Sequence, residues 1–298
     1  MIMRPFSAIA SSLCFIMDKL EEFSESSRNI AIVGTFLSLS FLFGLVIAEL
    51  NMRGFFPDYA KRLIPHNHLA VISQVFNLLL FFEVLSLIFS FVHSVSVSMG
   101  KQIEVLSLVL LRDVFKEFSH FTEPIEWLAV KPFLVSMTVS AVGALCLFFI
   151  LSIFYRFYES RPITKDESDT RTFIKIKKII AFFLLVSFFF IILYEGLLYI
   201  KTAQPNKAFE TFYTVLIFSD ILIILVSTIY SSSYIVTFRN SGFAVATVFI
   251  RLALISPPLF RSLIGIGSAL FVLGISFIYK SYRPAEDCIK TCQDLTDM

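Results

Sequence analysis

Long apolar runs without charge alternate with short polar clusters along this chain, and six of the runs are long enough to cross a bilayer. They cover about residues 29–48, 69–98, 132–155, 179–200, 209–237 and 262–279. A helix rises about 1.5 Å per residue, so roughly 20 apolar residues cover a hydrocarbon core of about 30 Å. The breaks between runs carry residues that stop helices or seek water. Arg53, Gly54, Pro57, Lys61, Arg62 and Pro65 separate the first two runs. The stretch from Arg156 to Lys178, with ESRPITKDESDT inside it, separates the third from the fourth. Pro132 opens the third run, at a position where a missing N–H costs a helix nothing.

Two other segments are apolar but short. Ile103, Leu106, Leu110, Val114 and Phe118 share one helical face, with Glu104, Arg112 and Lys116 on another. Gly242 to Ser256 is apolar except for Arg251 and stops at Pro257-Pro258. About fifteen helical residues reach only about 22 Å, so both segments are expected to be interfacial or re-entrant. The expected fold is therefore an all-α integral membrane protein: a bundle of about six transmembrane helices with two short interfacial or re-entrant helices. If the Gly242 segment merged with its flanks and crossed, the count would be seven.

The order span, connector, span, short helix, span occurs twice. Three spans per half would place the second half upside down, giving an inverted 3+3 repeat of the kind many transporters use. Identity between the halves is negligible, and any six spans can be bisected, so the order alone leaves the repeat open. Residues 29–280 form a single transmembrane domain in this reading. Residues 1–28 form an interfacial amphipathic segment, with Phe6, Ile9, Leu13, Ile16 and Leu20 on one face and Ser7, Ser11, Asp18 and Glu22 on the other. Residues 281–298 form a polar tail.

Composition closes off the soluble alternatives. Of 298 residues, 57% are hydrophobic and 16% charged, 36 are Phe, and the mean hydropathy is +0.81. Soluble domains carry about 25% charged residues. A net charge of +2 gives no reason to expect a nucleic-acid partner. The bilayer itself is the expected partner, with the location a multi-pass position in a membrane. Under six spans, Lys and Arg divide almost evenly between the two sides, so positive charge does not orient the chain. Cys288 and Cys292 lie four apart in the tail, without the further ligands that a metal site needs.

Charge inside the apolar runs is where chemistry is sought, because each such residue is costly in hydrocarbon unless paired or hydrated. Glu83 lies mid-way along the second run, on a stripe with Gln74, Asn77, Ser86, Ser90, Ser94 and Ser98. Asp220 lies in the fifth run, in line with Tyr213, Ser227 and Ser231. Each stripe reads either as the wall of a hydrated pathway or as a buried network between helices. Arg251 is the basic counterpart, able to pair with either acid or to contact headgroups. Glu195 lies near the end of its run, beside Tyr194 and Tyr199, and could snorkel to the interface. His93 stands alone among serines.

Motifs of membrane metalloproteases, serine hydrolases, nucleotide-binding loops and potassium filters are absent, so an enzyme is not expected and no cofactor is implied. Gly265, Gly267 and Gly274 in the last run give a small-residue face for close packing, within the chain or in a homo-oligomer. The expected function is a channel or transporter for an ion, with a cation or proton favoured, or for a small solute. Glu83, Asp220, Asn77, Ser86, Ser90, Arg251 and Glu195 are its candidate pathway residues. A non-transporting membrane scaffold or signalling subunit is the alternative, and a membrane-embedded enzyme the third.

Overall fold

The computed structural model describes residues 13–20, 22, 26–57, 67–92, 95–121, 123–157, 167–202, 208–230 and 234–281. Among them the chain is helical and contains no strand. Eight long helices follow one another: α1 (Ser27–Met52), α2 (His68–Ser90), α3 (Val95–Lys116), α4 (Leu134–Phe157), α5 (Glu167–Thr202), α6 (Ala208–Tyr230), α7 (Tyr234–Ile255) and α8 (Pro258–Ser281). Six helical stretches are long and apolar enough to cross a membrane: Arg28–Met52, His68–Ser90, Trp127–Phe157, Ile174–Lys201, Tyr234–Ile255 and Pro258–Ser281. The other two long helices, α3 and α6, have 22 and 23 residues, which makes each about 33 Å or longer.

Local chemistry sets several of the ends. Asn67 caps α2, its Oδ1 accepting the Ala70 N–H at 2.7 Å while its amide donates to the Phe121 carbonyl at 3.2 Å. Pro257-Pro258 stops α7, and Pro258 occupies the first position of α8, where it forfeits no hydrogen bond. Arg261 then turns back to serve α7, donating to the Ala253 and Ser256 carbonyls at 3.2 and 2.8 Å. The Ala253 carbonyl also accepts the Ser256 N–H at 3.1 Å, so the arginine adds a second donor at the end of the helix.

The two expected short helices are full-length ones. The apolar stretch 69–98 breaks at Phe91 and Val92, whose N–H groups fold back onto Ile88 and Phe89. The residues beyond join the Ile103 segment to make α3. The stretch 209–237 is likewise divided, and Tyr234 onward belongs to α7, which carries the Gly242 segment. Far from lying at an interface, α3 is central, packing against α2, α4, α7 and α8. Its Met99, Ile103, Leu106 and Leu110 are buried. Of the polar face of α3, Arg112 is buried against Glu83 of α2, whereas Glu104 pairs with Lys101 of its own helix and Lys116 is exposed.

Contacts fix the direction of each helix. Gly143 and Val139 of α4 lie beside Ser262 of α8, and Phe157 lies beside Phe277, so α4 and α8 run in the same sense. Corresponding helices of an inverted repeat run oppositely, and α4 and α8 do not. An even number of helices in each half leaves the halves pointing the same way. The starts of α1, α3, α5 and α7 share one end of the bundle, the near face; the starts of α2, α4, α6 and α8 share the far face.

Helix α1 stands outermost, packing on α2 with none of its apolar window buried. Residues 13–20 form a helix on the near face, with Met17 and Leu20 in the core and Asp18 paired to Lys178 of α5 at 2.5 Å. Of the small residues in α8, Gly265 faces inward against Leu106 and Leu147, whereas a Cβ added at Gly267 or Gly274 would meet no other element within 4 Å.

Candidate functional site

Both acids singled out in the sequence are buried, and each has its own arginine. Glu83 of α2 accepts from Arg112 of α3 at 2.9 Å, and the same Nη1 reaches the Phe76 carbonyl at 3.4 Å. Asp220 of α6 faces Arg251 of α7, with Nε and Oδ2 3.6 Å apart, outside hydrogen-bond range. A third pair joins Asp113 of α3 to Arg261 of α8. Buried Tyr213 lies within electrostatic reach of Arg112, Arg251, Glu83 and Arg261. The three pairs therefore form one charge-balanced layer across α2, α3, α6, α7 and α8, in the middle and far half of the bundle. Removing either member of a buried pair leaves a stranded charge.

The near half is different. A cavity of about 40 Å³ lies between α3, α5, α6 and α7, lined by Ser98, Gln102, Lys177, Asp220, Asn240 and Thr247 together with apolar side chains. All six of these polar residues are buried. That volume has room for about three waters. Gln102 Oε1, Asp220 Oδ2 and the Nε, Nη1 and Nη2 atoms of Arg251 have no hydrogen-bond partner among the described residues. Arg251 is 0% exposed. A guanidinium in that position with only a long ion pair is expensive. Asp220 joins the two parts, belonging to the charged layer on one side and to the cavity on the other.

A second, larger cavity of about 660 Å³ lies on the outside of α2, between α1 and α5. Glu83, Ser86 and Ser90 line it, so part of the expected serine stripe does share one wall. Its remaining surface is mostly apolar, including Val33, Leu79, Phe82, Phe89 and Phe189. Ser98 faces the smaller chamber instead. Asn77 is exposed and Glu195 half-buried, and neither lines either cavity. Gln74 is exposed as well. His93, Ser94, Ser231, Cys288 and Cys292 lie outside the described residues, as does the side chain of Ser227.

Arg112, Asp113, Arg261, Lys177, Gln102, Asn240 and Thr247 complete the site and were not singled out for it in the sequence. Arg112 had been assigned to a solvated face, and Lys177 to the loop before the fourth span. The available signal was a surplus of acids over bases in the apolar runs, which required arginines from the supposed interfacial segments.

On a face outside the bundle core, His68 bridges two helices and a loop. Its Nδ1 lies 2.9 Å from Glu123 Oε2, and its Nε2 3.3 Å from Glu49 Oε2. The hydrogen bond to His68 holds the Glu123 carboxyl below its usual range. Among the described residues no group of three His, Cys, Asp or Glu could hold a metal ion.

No family model, curated protein or solved structure matches the chain. Its class rests on its own helices, six of them long and apolar enough to span, which are those of a multi-pass membrane protein.

Proposed function

We propose that this protein is a membrane transport protein with its solute site in the chamber at Asp220. The observation that carries the reading is a cavity of about 40 Å³ lined by six buried polar residues, two of which, Gln102 and Asp220, hold a buried oxygen without a hydrogen-bond partner among the described residues. Helices that only pack against one another have no use for such a cluster, because each unsatisfied group costs about 1–3 kcal/mol. Lys177 and Asn240 place the chamber toward the near face, and the layer of three ion pairs closes the far half. Passage then requires the far layer to part. Ion pairs suit such a gate, since their members can exchange partners without leaving a bare charge. The cavity size favours an ion or a very small polar solute.

The test is flux in proteoliposomes, using a trapped pH dye under a potassium diffusion potential, with separate arms for alkali cations and for glycerol. Wild type should exceed empty liposomes in at least one arm, and Asp220→Asn should reduce that flux at least about tenfold, the effect of about 1.4 kcal/mol. Permeation equal to empty liposomes in every arm would overturn the proposal. The surviving reading would be a non-transporting scaffold, which the mutual neutralisation of Glu83, Asp113 and Asp220 by arginines also suits.

A further inference from the structure

The larger cavity beside Glu83 carries an inference that does not depend on transport. Along α2 it extends from Leu79 to Ser90, eleven residues or about 16 Å, which is half of a hydrocarbon core of about 30 Å. It therefore has the depth of one leaflet. Its inner end is hydrocarbon-like at Leu79, Phe82 and Val33, and its near-face end holds Ser90, Asn29 and Lys101. Glu83 adds no net charge to the wall, because Arg112 already pairs with it.

Among the described side chains, the near face around this opening is basic. Lys19, Arg28, Lys101, Lys175 and Lys178 outnumber the acids described there, Asp18, Glu22 and Glu104, even with Lys178 paired to Asp18 and Lys101 to Glu104. A second cavity of about 460 Å³ continues the groove past Leu79 toward the far face, with Ser38 the one polar residue in its lining. The polar, cationic end thus belongs to the near-face cavity alone. An apolar slot of one-leaflet depth under a basic rim matches a lipid with an anionic head and a long acyl chain.

We infer that the groove between α1, α2 and α5 is a binding site for an anionic phospholipid of the near-face leaflet. One acyl chain lies along Phe89, Leu85, Phe82 and Leu79, and the phosphate sits at Lys101. Helix α1 forms the outer wall, which gives this otherwise loosely packed helix a partner.

The full chain would be purified in nanodiscs of phosphatidylglycerol or phosphatidylcholine, released into detergent, and weighed by native mass spectrometry. The expected result is one retained phosphatidylglycerol and no comparable phosphatidylcholine adduct. Lys101→Gln should lower the preference about fivefold, the worth of one basic residue near a charged surface. Ser86→Phe fills the slot and should abolish retention, and Val33→Phe should do so from the opposite wall. Absence of a bound lipid in wild type, equal retention of the two lipids, or a free fatty acid in place of phospholipid would overturn the assignment. So would unchanged retention in both filled variants. If neither filled variant folds, the wild-type comparison and Lys101→Gln still decide it.

Discussion

Asp18, which precedes the first span, meets Lys178 on α5 at 2.5 Å. The two residues must therefore lie on the same side of the membrane. With six spans, the hydrophilic segment before α5 would fall opposite the N-terminus. We predict that α3 crosses as well, which makes four crossings between Asp18 and Lys178 and allows the contact. The near face then collects residues 13–20 and the near ends of α4, α5 and α8, with Arg156, Lys175, Lys178 and Lys280. Positive charge, uninformative under six spans, now favours placing that face in the cytoplasm. Reporters fused at the N-terminus, inserted after Pro162 and fused at the C-terminus should all signal from the cytoplasmic side. A signal from the insertion opposite to that of the two termini would remove α3 from the crossing helices.

Glu83 and Arg112 are buried partners, so removing the charge of one should be felt as stability. Glu83→Gln leaves the Arg112 guanidinium with its long contact to the Phe76 carbonyl and no carboxylate. The expected loss is about 3–5 kcal/mol, and replacing both residues by Gln and Met should recover a large part of it. Chemical denaturation in detergent would measure both. If Glu83→Gln matched wild type, the pair would not be a structural element.

Much of this arrangement was legible in advance, and the parts that were not have a common cause. Apolar runs reported helices, and Glu83, Asp220 and Arg251 stood out because hydrocarbon makes charge conspicuous. The positions of breaks were less visible, since Phe91 and Val92 are as apolar as any helix interior. Without that break the Ile103 segment looks too short to cross, and Glu104, Arg112 and Lys116 read as the polar side of an interfacial or re-entrant helix. Periodicity reports which residues share a face, but a face that meets water and one that meets opposite charges on two other helices have the same pattern. Lys177 and Asn240 posed a related problem, since a polar residue near a span's end is ordinarily explained by the interface.

Gly143 of α4 lies close against Ser262 of α8. A Cβ placed there would come within 2.6 Å of the Ser262 hydroxyl oxygen and 2.8 Å of its Cβ. Ser262 is itself held by its bonds to the Val139 and Pro258 carbonyls, so it has little freedom to retreat. Gly143→Ala should cost about 1–3 kcal/mol, the range for overpacking. Gly267→Ala on the open side of α8 should be neutral or slightly stabilising, since Ala is the better helix former. A comparison of melting temperatures checks both, and equal tolerance at the two sites would mean that the helices are not in this contact.

The Glu123–His68 contact gives a pH dependence with a definite sign. The carboxyl of Glu123 is held below its ordinary value of 4.5 by its hydrogen bond to His68. A carboxyl lowered in the folded state stabilises fully above its unfolded value, and that contribution disappears as pH falls through the folded value. Wild type should therefore melt higher than Glu123→Gln near pH 6, where His68 is still able to donate. The gap should narrow steadily below about pH 4.5 and close once Glu123 is protonated in both states. Melting curves between pH 3 and 6 would show it, and a gap that stayed constant over that range would assign the contact no role.

Asp220 and Arg251 provide the sharpest separation of a structural role from a transport role. Arg251 is completely buried, has no hydrogen-bond partner among the described residues, and stands 3.6 Å from its one carboxylate. Asp220→Ala alone strands that cation and should cost about 3–5 kcal/mol, which could depress flux simply by unfolding the protein. Replacing the pair together, Asp220→Leu with Arg251→Met, removes both charges and keeps the volume near that of the original. Such replacements of buried pairs are commonly neutral or stabilising by about 1–4 kcal/mol. The doubly substituted protein should therefore fold at least as well as wild type. If the chamber is a solute site, it should also lose flux, because Gln102, Lys177 and Asn240 would then face a wall with no carboxylate. Thermal unfolding and proteoliposome flux on the same preparation would measure both properties. A stable double variant with wild-type flux would show that the pair serves only the fold, and the chamber would lose its role as a solute site.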